Sequence, residues 1–188
     1  MSFLFDKKFL LFIGKLLGAF LLLYYGTIAI IGIAAPGGLY SPFVEQYLDY
    51  VSWIKHSLMD GTRSLVGLFG YDTITEPGYL VRVLGKRGVI ISKSCVGFGV
   101  YSFWIAYMLA NTLALKNKLL WMVGGVLALW AINVIRISMF LIAINNNSTM
   151  PFGIDHHTWF NIVAFGFIFM MIYFFNQQLN KSNDAAND

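Results

Sequence analysis

The sequence predicts an all-α integral membrane helical bundle. It has about four transmembrane helices, with an amphipathic helix and a small β-hairpin on the outer face. Three observations lead there. Of 188 residues, 58% are hydrophobic and only 12% charged, and the mean hydropathy is +0.68; a soluble domain carries roughly a quarter charged residues. Four apolar stretches approach the ~20 residues that ~30 Å of hydrocarbon demands. The Lys and Arg of the short flanks fall on one side of those stretches. Such a composition speaks against a disordered chain, an ordinary soluble enzyme and a nucleic-acid binder with a solvated surface. The net charge of +4 is scattered, with no basic tract.

The first apolar stretch covers residues 9–35. It is too long for the core of a signal peptide and ends without an A-x-A-like cleavage site, so it reads as a retained helix. Lys15 lies near its start, placed to snorkel to the interface. The other stretches cover residues 96–115, 119–144 and 158–175. Residues 1–175 therefore read as one membrane-embedded domain, and the polar residues 176–188 as a flexible cytoplasmic tail.

Orientation follows from the positive-inside rule. Lys7 and Lys8 precede the first span, Lys116 and Lys118 lie between the second and third, and Lys181 follows the fourth. The short connection 145–157 has no Lys or Arg. Both termini are then cytoplasmic, and residues 36–94 and 145–157 lie outside. The long outer loop does carry Lys55, Arg63, Arg82, Lys86, Arg87 and Lys93. A loop of that length obeys the rule less strictly.

That loop has structure of its own. Ser41-Pro42 has the form of an N-cap and a first-turn proline. Val44, Tyr47, Leu48, Val51, Ile54 and Leu58 then recur at helical spacing, continued by Leu65 and Phe69. The expected break is at Asp60-Gly61. Residues 79–84 and 89–92 are β-rich, and Gly85-Lys86-Arg87-Gly88 between them fits a hairpin turn.

Three kinds of residue stand out once this topology is drawn. Cys95, the only cysteine, lies where the second span begins and has no partner for an intramolecular disulfide. Arg136 lies about 26 Å along the third span, near its outer end. His156 and His157 open the fourth. An arginine within hydrocarbon is costly unless paired, and so suggests a functional site; Asn133 shares its face one turn earlier. Each has a plainer reading: a snorkelling arginine, a cysteine packed as a small hydrophobe, histidines that cap a helix. Together they have the parts of an acyl-transfer site. An imidazole takes the thiol proton, the thiolate attacks a carbonyl, and a guanidinium holds the oxyanion. No metal or organic cofactor is expected. His56, His156, His157 and Cys95 lack metal-ligand spacing, and Gly97 and Gly99 lack the context of a dinucleotide turn.

Ser94-Cys95-Val96-Gly97-Phe98-Gly99 opening a membrane helix resembles the cysteine motif of the exosortase/archaeosortase family. Asn133-Val134-Ile135-Arg136-Ile137 is similar to its Asn-x-x-Arg-Ile motif. Asp155-His156-His157-Thr158-Trp159-Phe160-Asn161 resembles its third motif, a histidine opening the last helix. The resemblance covers residues 89–175, and the order and spacing agree. It is greatest to the short exosortase-like proteins; the chain departs from the longer members in having four spans.

The resemblance implies a cysteine peptidase or transpeptidase, multi-pass in the cytoplasmic (inner) membrane, with its site on the outer face. Its partners would be the bilayer and exported proteins bearing a C-terminal sorting signal. It implies Cys95 as nucleophile, Arg136 as oxyanion or carbonyl stabiliser, and His157 or His156 as general acid/base. His157 is the better fit, because Asn161 and Phe165 follow it at +4 and +8. Two other readings belong to different classes. One is a non-enzymatic membrane scaffold or assembly factor for surface export. The other is a small transporter whose Arg136 binds an anion, disfavoured by the lack of paired discontinuous helices.

Overall fold

The computed structural model describes residues 6–37, 39–146 and 156–184. It is mostly helical, with one small sheet. The elements run α1 (Lys7–Ala34), α2 (Pro42–Tyr47), α3 (Tyr50–Leu68), β1 (Thr73–Glu76), β2 (Leu80–Val83) and β3 (Gly88–Ile90). Then come α4 (Lys93–Val96), α5 (Phe98–Ala110), α6 (Leu115–Asn145) and α7 (His156–Asp184).

Asp6 caps α1, accepting from the Lys8 amide at 2.9 Å. Leu10, Leu17 and Leu22 of α1 are half to three-quarters exposed. One face packs on α5 through an aromatic seam, with Phe20 against Phe103 and Tyr24 against Phe98. Gly99 of α5 faces Tyr24, where a Cβ would make ordinary van der Waals contact with the ring.

Among the described residues, α1 and α6 are the helices long and apolar enough to cross a membrane. The second expected span is shorter than its apolar run. It comprises 13 residues, about 20 Å of helix, because the chain leaves the helix at Asn111. The Asn111 side chain folds back there to donate to the Tyr107 carbonyl at 2.7 Å.

The last helix also runs past its expected end. Helix α7 continues past residue 175 to Asp184. Asn176 accepts from the Tyr107 hydroxyl at 3.0 Å, and Gln178 accepts from the Trp121 indole at 2.8 Å. These bonds extend the bundle beyond the last apolar turn.

The amphipathic stretch forms, but it breaks at Leu48-Asp49 rather than at Asp60-Gly61. Asp49 caps α3, accepting from the Ser52 amide at 3.1 Å and its hydroxyl at 2.6 Å. Gly61 has another purpose. A Cβ there would lie 2.7 Å from Val134 Cγ2 and 3.0 Å from the Trp130 ring, so glycine allows α3 to lie against α6. Trp130 Nε1 also donates to Ser57 Oγ at 3.0 Å across this contact.

The expected hairpin is the β2–β3 pair, Leu80 opposite Ile90 and Arg82 opposite Gly88. A third strand, β1, pairs antiparallel with β2 on its other side. Asn145 ties the β2–β3 turn to the end of α6. Its side chain accepts from the Arg87 amide at 2.9 Å and donates to the Arg87 carbonyl at 3.1 Å.

Two apolar cores result. One gathers Val51, Leu58 and Val66 of α3, Val81 and Val89 of the sheet, Val96, and Val134, Ile137 and Leu141 of α6. The other gathers Trp104 and Met108 of α5, Leu129 of α6, and Ile168, Met171 and Phe175 of α7. In the second, Trp104 packs directly on Gly125: a Cβ at that glycine would overlap the indole at Nε1. Gly125→Ala should therefore destabilise by about 3 kcal/mol, the high end of overpacking. Gly124→Ala, next door in open space, should be neutral or slightly stabilising. Thermal melts of both purified variants in one detergent check this; equal melting temperatures would contradict the packing.

Candidate active site

The site begins with a short polar run between two packed elements. Strand β3 ends at Ile90, and Ile91 is buried, its amide donating to the Tyr79 carbonyl at 2.9 Å. Residues Lys93–Val96 then make a single helical turn, α4, with Ser92 before it. Val96 is fully buried in the first core and anchors the turn. Gly97 follows at φ 70°, ψ 34°, the left-handed conformation that glycine adopts without steric penalty. The long helix restarts at Phe98. Cys95 is thus not the first residue of the long helix. It is the third residue of a separate turn, so the full dipole of α5 is not aimed at it.

Helix α6 passes behind this turn. Arg136 Nη2 donates to the Cys95 carbonyl at 2.9 Å. One turn earlier, Asn133 Nδ2 donates to the Val96 carbonyl at 3.0 Å and lies 3.5 Å from the Tyr101 hydroxyl. Terminal carbonyls of a helical turn lack intrahelical donors and need such partners. The Asn-x-x-Arg spacing supplies two donors from one face of α6 to two successive carbonyls.

Cys95 is half-buried, and its Sγ lies 3.4 Å from Ser92 Oγ, which in turn bonds Ser94 Oγ at 2.7 Å. The structure therefore brings Cys95 and Arg136 together, through the backbone of the cysteine. His156 and His157 open α7; their side chains lie outside the described residues. Among the described residues no three His, Cys, Asp or Glu side chains converge.

Two further features flank the turn. An apolar cleft of about 460 Å3 is lined by Phe20 of α1, Gly97, Gly99 and Phe103, and Ile168 and Phe169 of α7. On the other side Lys55 of α3 is buried, with its ammonium over the Tyr79 ring at 4.1 Å. Burial pushes the Lys55 pKa down and the nearby Lys93 charge adds to this, against the opposing fields of Asp49 and Cys95. Lys55 escaped the sequence reading. The available signal was its position four residues after Val51, on the buried stripe of α3 where a cation is out of place.

No protein-family model matches the chain, nor does any curated protein or solved structure. The likeness to exosortases therefore rests on the three motifs.

Proposed function

We propose that this chain is a multi-pass membrane cysteine peptidase or transpeptidase of the exosortase type. It cleaves a C-terminal sorting signal of exported proteins at the outer face of the cytoplasmic (inner) membrane. The observation that carries the reading is the bond from Arg136 to the Cys95 carbonyl. Two motif residues, 41 positions apart, meet at the backbone of the chain's one cysteine.

The chemistry runs in two halves. A histidine of the 156–157 pair, His157 by preference, takes the Cys95 proton, and the thiolate adds to the scissile carbonyl. Arg136 stabilises the oxyanion of the tetrahedral intermediate. The C–N bond breaks as the imidazolium protonates the leaving amine, and a thioester remains on Cys95. An amine or water then attacks that thioester and frees the thiol, giving transfer or hydrolysis. Helices α1 and α6 are long enough to span the bilayer, α5 and α7 pack beside them, and the bilayer holds the substrate's own apolar segment beside the site, which supplies orientation. The apolar cleft adjoining Gly97 offers that segment a wall.

The test compares membrane and surface proteins from cells with and without this chain, their C-termini read by mass spectrometry. A set of proteins should lose its C-terminal apolar segment only when the chain is present, with a common sequence at the cut. If no C-terminus changes in well-expressing cells, the peptidase reading fails and the scaffold takes its place.

A further inference from the structure

We propose that the cavity beside the end of α1 binds the phosphate of a membrane phospholipid, held by Lys55 and Lys93. The cavity is about 470 Å3 and is lined by Ile31, Ala34, Trp53, Lys55, Tyr79 and Lys93, among others. The inference does not require Cys95 to be a nucleophile, so the two proposals fail separately.

Lys55 is 8% exposed as a residue, and it lines this cavity. A cation partly withdrawn from water favours a nearby anion. Tyr79 offers its ring face to Lys55, a weaker partner than a carboxylate. Tyr79 holds that ring there from a left-handed backbone, φ 63°, the one non-glycine residue so placed among those described. Such a conformation is strained for a side-chain-bearing residue and persists where the surroundings demand it. Its hydroxyl is fixed as well, donating to Ser52 Oγ at 2.9 Å.

The two carboxylates of the cavity wall are otherwise engaged. Asp49 caps α3 through Ser52. Glu45 accepts from the Tyr40 hydroxyl. Among the described residues the one ion pair is Arg82–Glu76, on the sheet. Lys93 is exposed, yet its charge is felt at Lys55. Two cations thus share the concave wall with two carboxylates that make no direct ion pair with either, Asp49 acting on Lys55 through its field alone, and an oxyanion seated on the lysine side would be held by both cations.

Position selects the source of that oxyanion. The cavity lies where the apolar run of α1 stops, at Ala34, Ala35 and Pro36. If α1 crosses the bilayer, that is the depth of lipid headgroups. Trp53, a residue type enriched at that depth, is on the wall and 56% exposed. Phospholipid phosphates are concentrated there, and the apolar side of the cavity suits the start of the acyl chains. The placement also accounts for two of the lysines that the outer loop carries against the charge rule.

The test is native mass spectrometry of the full chain in detergent, titrated with phosphatidylglycerol or with diacylglycerol of the same acyl chains. Wild type should prefer phosphatidylglycerol by about ten-fold or more. Lys93→Met, at an exposed position where the fold is safe, should weaken phosphatidylglycerol by about five-fold, the usual worth of one interfacial cation. Lys55→Met should do at least as much, and Lys86→Met, on the distant hairpin turn, should do nothing. Equal retention of the two lipids overturns the proposal. So does a phosphatidylglycerol preference that survives both Lys93→Met and Lys55→Met. Displacement of the lipid by millimolar inorganic phosphate, with the same lysine dependence, would assign the site to a soluble anion and overturn the lipid source. Displacement by a peptide through its free C-terminal carboxylate would overturn it in favour of a polypeptide.

Discussion

On the proposed mechanism, Cys95→Ala should abolish processing, lowering turnover at least about a thousand-fold, because the bond-forming atom would be gone. Cys95→Ser should fall nearly as far. A hydroxyl is a far weaker acid and nucleophile than a thiol, so the same imidazole would activate it far less. Neither change should disturb the fold. The Sγ atom is half-buried with Ser92 Oγ as its recorded polar neighbour, while the bonds that fix the turn go to main-chain oxygens and to buried Val96. The measurement is the C-terminal mass spectrum of substrate proteins in cells expressing each variant at matched levels. A serine variant that still processes at a near-normal rate would rule out the thioester route. Alkylation gives an independent check. Iodoacetamide should label wild type at Cys95 and stop processing in the same proportion.

Arg136→Ala should cost about 10²–10³-fold in kcat, the usual loss when one oxyanion donor is removed. The structure adds a second component, since the same guanidinium holds the Cys95 carbonyl at 2.9 Å. Arg136→Lys separates the two. A lysine keeps the charge and can make one bond, but loses the planar fork. If Arg136 serves both the turn and the oxyanion, the lysine variant should lose about ten-fold or more in kcat with KM little changed. If it only holds the turn, the lysine variant should keep near-normal kcat. Asn133→Ala supplies the comparison. It removes the neighbouring anchor to the Val96 carbonyl, so it should lower thermal stability by about 1 kcal/mol. A kcat for Arg136→Ala within two-fold of wild type would remove Arg136 from the chemistry.

The sequence made long, uninterrupted apolar elements legible, because span length is set by hydrocarbon thickness and composition alone. Helix α1 starts and stops within two residues of expectation, and α6 runs a few residues longer at its start. Local punctuation was harder to read. Gly61 has the composition of a breaker but is a close-packing position against Val134 and Trp130, which only the partner helix reveals. The true break carried its signal in Asp49 and Ser52, hidden inside a continuous apolar stripe. Strand β1 was missed because Thr73–Glu76 carries a single apolar residue, Ile74, whereas β2 and β3 lie in β-rich apolar runs. Asn111 ended α5 early because its side chain competes for the helix's own carbonyl.

At the site, the pairing of Cys95 with Arg136 was legible from motif spacing, but its form was not. The expected contact was a guanidinium aimed at reacting atoms; the observed one reads the main chain. Lys55 stayed hidden because a charge on a buried stripe looks like an error in the stripe until its cavity is seen. The roles of His156 and His157 rest on the sequence, since their side chains lie outside the described residues.

Because Asn133 and Arg136 grip carbonyl oxygens, the cradle on α6 is indifferent to what side chain occupies position 95. Any residue that tolerates one helical turn presents the same two oxygens at the same place. Geometry and reactivity are therefore separable parts. Selenocysteine or a masked thiol can be installed at 95 with the mounting left unchanged. On the proposed mechanism, an inert occupant would give a trap that holds substrate at the reaction point without consuming it.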